Sequence, residues 1–242
     1  MKKPPFRLTG TPRCGGIVVV ADHAANCVPA DIALGIDPAL LDQHIAVDIG
    51  VRAVAELLAA RPGFAAHCAT YSRLVCDLNR EEHSAGLFPI ASDGHAIPGN
   101  ALDDAGRLAR MARFYHPYHD ALARLLDNAR PALIVSLHSF TPRLAGDTAQ
   151  LRPWQVGVLY NADDRAARIA IPLLAADGLV VGDQQPYSGK LLNTTMNRHA
   201  EAEGRPYLGI EIRQDQITDK AGQAEWAERL ARLSNQVAIA LR

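Results

Sequence analysis

The stretch Ile17-Val18-Val19-Val20-Ala21, followed at once by Asp22-His23-Ala24-Ala25-Asn26, decides how the chain is read. Five apolar residues in a row, four of them β-branched, suit a strand buried on both faces, as in a parallel sheet covered by helices. A carboxylate and an imidazole then stand at the carboxyl end of that strand, the edge at which open α/β sheets bind ligands. Working outward, similar runs recur at 132–137, 156–160, 179–181 and 207–212, with a weaker one at 65–71. Helical apolar spacing lies between them, at 38–60, 102–129, 163–176 and 220–241. Asp37 followed by Pro38 has the form of an N-cap and a first helical residue, and Pro117 is expected to kink or divide the second stretch. Strands alternating with helices predict a three-layer α/β/α sandwich on a mostly parallel or mixed central sheet, formed as one domain over 1–242. Segments 81–101 and 139–153 are polar and rich in Gly, Pro and Ser, and read as loops.

Composition bounds the function. The chain has 242 residues, 48% hydrophobic and 21% charged, which is enough apolar material for a core and excludes disorder. With 25 basic and 26 acidic residues the net charge is −1, so there is no electrostatic footprint for nucleic acid or for an anionic membrane. No run approaches the roughly 18 apolar residues that span a bilayer. Lys2-Lys3 could mimic the start of a signal peptide, but Pro4-Pro5 follow and the next apolar run is too short. A cytoplasmic protein is therefore expected. The four cysteines, at 14, 27, 68 and 76, have no CxxC spacing and read as reduced thiols.

Five constellations could carry chemistry. His23 stands at the end of the first strand, and Ser136-Leu137-His138-Ser139-Phe140 places a second His at the end of another. Neighbouring strand ends converge, and two His with a carboxylate and an open position form a common catalytic zinc set. Glu211, in Gly209-Ile210-Glu211-Ile212-Arg213, is a charge on an apolar strand. Burial would raise its pKa toward general-base work; pairing with Arg213 or another Arg would make it structural instead. In Ser72-Arg73-Leu74-Val75-Cys76-Asp77-Leu78-Asn79-Arg80 the two arginines lie seven apart beside an amide, a plausible anion pocket. The chain holds 21 Arg against 4 Lys, however, so ordinary surface arginines fit as well. Gln185-Pro186-Tyr187-Ser188-Gly189-Lys190 is a turn or a lid. His116-x-x-His119 has helical metal spacing, but its aromatic surroundings favour a packed, hydrogen-bonded pair.

Taken in order, His23, Ser72-Arg73-Leu74 with Asp77-Leu78-Asn79-Arg80, Leu137-His138-Ser139-Phe140, Pro186-Tyr187-Ser188-Gly189 and Ile210-Glu211-Ile212-Arg213 resemble the N-formylglutamate amidohydrolase family over about residues 15–215. The resemblance implies a carboxypeptidase-like, phosphorylase/hydrolase-like fold related to zinc carboxypeptidases and aspartoacylase. It implies a single catalytic domain that hydrolyses the N-formyl or N-acyl amide of an acidic amino acid, N-formylglutamate to formate and glutamate, as in histidine degradation. It further implies a zinc cofactor with His23 and His138 as ligands, Glu211 as base and Arg73 facing the oxyanion. Asn79 and Arg80 then meet the carboxylate of a small-molecule substrate, with Ser139 and Tyr187 beside it. One departure matters: the Glu that zinc carboxypeptidases and aspartoacylase carry three residues after the first His is Asn26 here, and an amide is a poor zinc ligand. Asp48 is the substitute considered, one helical turn after His44; a helix-surface charge is the other reading. A related deacylase or carboxypeptidase-like hydrolase with a different substrate is the alternative within enzymes, and Asn26 keeps open a metal-free binding module.

Overall fold

Every residue of strand Ile17–Ala21 is buried, because it lies in the interior of a seven-stranded sheet. The computed structural model describes residues 3–144 and 152–242. Its strands are β1 (Phe6–Gly10), β2 (Ile17–Ala21), β3 (Phe64–Ala69), β4 (Ala91–Ser92), β5 (His95–Ala96), β6 (Leu133–Phe140), β7 (Val156–Leu159), β8 (Val181–Asp183) and β9 (Tyr207–Arg213). The large sheet runs β1-β3-β2-β6-β9-β7-β8, and β4 and β5 form a separate hairpin. The four central strands β3, β2, β6 and β9 are parallel, whereas β1 and β7 run antiparallel to their inner neighbours. Parallel strands need a covering layer on both faces. Helices α1 (Val51–Ala59), α2 (Asp104–Arg110), α3 (His116–Ala129), α4 (Arg165–Ala176), α5 (Thr194–His199) and α6 (Lys220–Ala240) supply it.

The two faces can be told apart on β3, where side chains alternate. The His67 ring lies 4.6 Å from Tyr118 of α3. Cys68, next along, meets the α1 side: burial and Glu56 of α1 push its thiol up to about 12. Helix α6 packs on both α1 and α4, so these three cover one face. The expected α/β class with a mixed, mostly parallel sheet flanked by helices is the fold observed. None of the helices among the described residues is long and apolar enough to cross a membrane.

Two helical expectations are corrected. Residues 38–60 are not one helix: Asp37 caps only a single 3-10 turn, Pro38–Asp42, and α1 begins at Val51. The break spans residues 43–50 and ends at Gly50, whose φ of +81° is left-handed and where a Cβ would stand 2.2 Å from Ile217 O. Residues 102–129 are not divided at Pro117; a π-helical turn at Met111–Tyr115 joins α2 to α3, with His116 N–H reaching back to Met111 O. Pro117 follows directly on this widened turn, whose shifted hydrogen bonding accommodates the missing N–H. Strand β1, hairpin β4–β5 and helix α5 fall in segments given no such element by pattern alone. Of the 139–153 loop, residues 139 and 140 complete β6 and 145–151 lie outside the described residues.

Candidate metal centre and active site

The carboxyl ends of β2, β6 and β9 open onto a cavity of about 440 Å³. His23 lies two residues beyond β2, while His138 and Glu211 stand opposite each other in the parallel register of β6 and β9. Gly157 of β7 faces Glu211 from the other side, and a Cβ there would come within 2.0 Å of Gln185 O. The His23 and His138 rings are 5.0 Å apart, edge to face.

The third group is Asp48. The irregular stretch before α1 carries it to the strand ends, where its N–H donates to His23 O at 3.0 Å. Ser139 N–H donates to Asp48 Oδ2 at 3.3 Å, and Ser139 Oγ donates to Ile49 O at 3.0 Å. Ser139 therefore fastens the segment bearing Asp48 as well as lining the cavity. His44 and Asp48 do not share a helix face; His44 pairs with Asp93 of the β4–β5 turn at 3.0 Å. Ligand atoms of His23, Asp48 and His138 all lie within 4.8 Å of one another, and all three residues are buried. Asp48 Oδ2 is 3.5 Å from His23 Nδ1 and 2.9 Å from His138 Nδ1. His23 Nδ1 has no hydrogen-bond partner and no access to solvent. Two imidazoles and a carboxylate with such an orphaned nitrogen fit a divalent metal. Asn26 takes no part: its amide donates to Asp42 at 2.8 Å.

Around this cluster the charges are arranged by burial and pairing. Burial would raise Asp48, yet His23 and His138 hold its carboxyl below the ordinary range. Burial would lower His138, yet its hydrogen bond to Asp48 takes it up to about 9. Glu211 goes the other way: burial, with Asp48 adding to it, lifts it to about 7 against the pull of His138. Its Oε2 is buried without a partner, and Arg213 turns to Asp215 at 2.8 Å rather than to Glu211.

Asp77 is the residue that motif reading passed over. It accepts from His23 Nε2 at 2.7 Å, from Arg73 Nη2 at 2.7 Å and from Arg73 Nε at 3.1 Å. Arg80 Nε leans on it at 3.6 Å, and Asn79 N–H donates to it at 3.1 Å. Burial would raise this carboxyl, but Arg73 above all holds it well below the usual range. It fixes the His23 ring from behind, as carboxylates do for metal-ligating histidines. The two arginines that sequence spacing kept apart therefore meet on one carboxylate. A signal was available: Asp77 is the acidic residue inside the Arg-rich run itself.

The remaining candidates line the same cavity. Asn79 Oδ1 accepts from Thr195 N–H at 3.0 Å, so its amide N–H₂ is the group a carboxylate could use. Tyr187 accepts from Arg152 Nη1 at 3.0 Å, which leaves its own hydroxyl proton to donate. His116 and His119 do not pair with each other; buried His119 pairs with His199 at 2.9 Å and His116 stands 3.9 Å from Glu82.

Comparison with known proteins agrees with this geometry. The family model for N-formylglutamate amidohydrolase matches residues 15–218. The gene product Atu2144 of Agrobacterium tumefaciens is 30% identical, with a TM-score of 0.92, over 98% of this chain and 96% of that one. The N-formylglutamate amidohydrolase of Ralstonia eutropha JMP134 is 22% identical, with a TM-score of 0.73, over 99% of each chain, and shows the fold alone. No curated protein sequence matches the chain.

Proposed function

The chain belongs to the N-formylglutamate amidohydrolase family, and from that premise we propose that it is a metal-dependent amidohydrolase that hydrolyses N-formyl-L-glutamate to formate and glutamate, or the amide of a closely related N-acyl amino acid to its carboxylate and amine. The observation that carries the reading is the buried His23–Asp48–His138 cluster with Glu211 one strand away. His23, Asp48 and His138 would hold the ion, and this donor set suits zinc. When bound, such an ion polarises the scissile carbonyl and makes water a stronger acid.

The protein's own groups do the rest. Glu211, lifted to about 7, takes the proton of the attacking water at Oε2 and returns it to the leaving amine. Arg73, held beside the cluster by Asp77 and 3.5 Å from Asp48, stabilises the developing oxyanion. Arg80 and the Asn79 amide hold a substrate carboxylate, and Tyr187 donates its hydroxyl proton as the site closes. Ser139 completes the polar wall, while Ile45, Phe140, Leu159 and Leu192 give an apolar wall that suits a methylene stem. Residues 1–242 act as one catalytic domain on a small cytoplasmic metabolite.

The test is formate or acetate release by zinc-loaded protein on a panel of N-formyl and N-acetyl amino acids. N-formylglutamate is expected to have the highest kcat/KM. A preference for an uncharged formamide would remove the carboxylate subsite, and no turnover of any member would remove the function.

A further inference from the structure

His23 shows how this centre fixes a ligand. One ring nitrogen faces Asp48, and the opposite one is hydrogen-bonded to a buried carboxylate, Asp77, at 2.7 Å. His138 has the same two-sided arrangement. Its Nδ1 is 2.9 Å from Asp48 Oδ2, and its Nε2 is 3.7 Å from Asp22 Oδ2. Both His138 Nε2 and Asp22 Oδ2 are sealed from solvent and lack a hydrogen-bond partner. Two orphaned polar atoms facing each other in a buried site are costly unless they are partners in use.

Asp22 is not free to turn away. Its other oxygen, Oδ1, accepts the Tyr118 hydroxyl at 2.6 Å. Tyr118 is wholly buried on α3, with the His67 ring 4.6 Å away and the His119 ring 5.3 Å away. The phenol thus clamps the carboxylate with its second oxygen aimed at His138. Once Nδ1 of His138 is given to a metal, the Nδ1 proton leaves to bulk water. The imidazole's remaining proton then has one place, Nε2, where Asp22 waits. Closing 3.7 Å to an ordinary hydrogen bond of about 2.9 Å needs a shift of under an ångström.

We infer that Asp22, clamped by Tyr118, is the positioning residue for His138: it accepts a hydrogen bond from Nε2–H and so presents Nδ1 to the metal. The inference rests on the metal-centre reading above. It makes Asp22 the counterpart of Asp77, so that each histidine has its own buried carboxylate behind it. It also gives Tyr118, which touches neither metal nor substrate, a part in metal affinity.

The experiment measures zinc affinity by competition with a chromophoric chelator, using the full chain and the variants Asp22→Asn and Tyr118→Phe. Thermal melts of the chelated proteins run beside it, and ¹⁵N-histidine NMR reads the tautomer of zinc-loaded wild type directly. Asp22→Asn is expected to weaken zinc roughly 10–100-fold. Tyr118→Phe should weaken it less, since the carboxylate remains. The NMR spectrum of wild type should show His138 metallated at Nδ1, with an exchange-protected Nε2–H that moves upfield in Asp22→Asn. Zinc affinity within twofold of wild type in folded Asp22→Asn, or metal on Nε2 in wild type, overturns the inference while leaving the metal centre standing. Failure of wild type itself to bind zinc through the two histidines overturns the metal-centre reading and this inference with it.

Discussion

Asp77→Asn is the most informative single change, because one buried carboxylate serves both a histidine and two arginines. The substitution keeps shape and one acceptor oxygen but removes the charge. Arg73, whose side chain is 23% exposed, then keeps Asp48 at 3.5 Å as its one ion-pair partner among the described residues. Breaking a buried ion pair by deleting one partner costs about 3–5 kcal/mol. The partial exposure of Arg73, its second carboxylate and the retained amide oxygen place this case at the low end, about 3 kcal/mol. For a chain of this size that corresponds to a fall in Tm of roughly 6–12 °C. The assay is thermal melting of chelated protein, so that metal linkage does not enter. A double-mutant cycle isolates the pair: on an Arg73→Met background the closest guanidinium is gone and only Arg80, 3.6 Å away, still loses a charge partner, so Asp77→Asn should cost only about 1 kcal/mol. A Tm within 2 °C of wild type, or strictly additive costs in the cycle, would refute Asp77 as the electrostatic hub.

Glu211→Gln should leave zinc content unchanged and lower turnover by roughly 10²–10⁴-fold; near-normal turnover removes it as base. Arg80→Lys should raise KM for N-formylglutamate far more than for an uncharged formamide, whereas Arg73→Lys should lower kcat; identical defects with unchanged melting would end that division of labour. Burial depresses His67 to about 3 and His199 to about 4, so both are neutral in the fold and take up protons on unfolding. Their stability contribution is complete above about pH 6.5 and is lost as pH falls toward those values. Wild type compared with His67→Phe by urea melts should therefore lose about 1.4 kcal/mol more between pH 7.5 and 5.5, and a pH-independent difference would show that His67 is not held neutral.

The parts of this molecule that could be read from sequence are those whose signal is local. Ile17–Ala21 is continuous and mostly β-branched because both faces of the sheet are covered, and burial on both sides leaves no alternation to misread. His23, His138 and Glu211 stand out for the converse reason: each is a titratable group in or just after an apolar run. Asp48 was legible as a residue type but not as a place, since the helical spacing of 38–60 continues through the non-helical residues 43–50, which end at the left-handed Gly50 beside Ile217. Asp77 carries only the weak signal of an acidic residue between two arginines, and Asp22 carries none that assigns its partner. Their meaning depends on contacts with His23, 54 residues earlier, and with Tyr118, 96 residues later. The π-helical turn before Pro117 was missed because proline chemistry forbids an unadjusted helix there, not a helix with one widened turn.

The central claim is that a metal held by His23, Asp48 and His138 is required for amide hydrolysis. The direct measurement is formate release from N-formylglutamate by chelated protein titrated with zinc, with bound metal determined on the same samples. The account predicts no turnover without metal, a linear rise to a plateau at about one equivalent, and loss of both binding and turnover in Asp48→Ala. Full turnover in verified metal-free protein, or a plateau in Asp48→Ala equal to wild type, would contradict it.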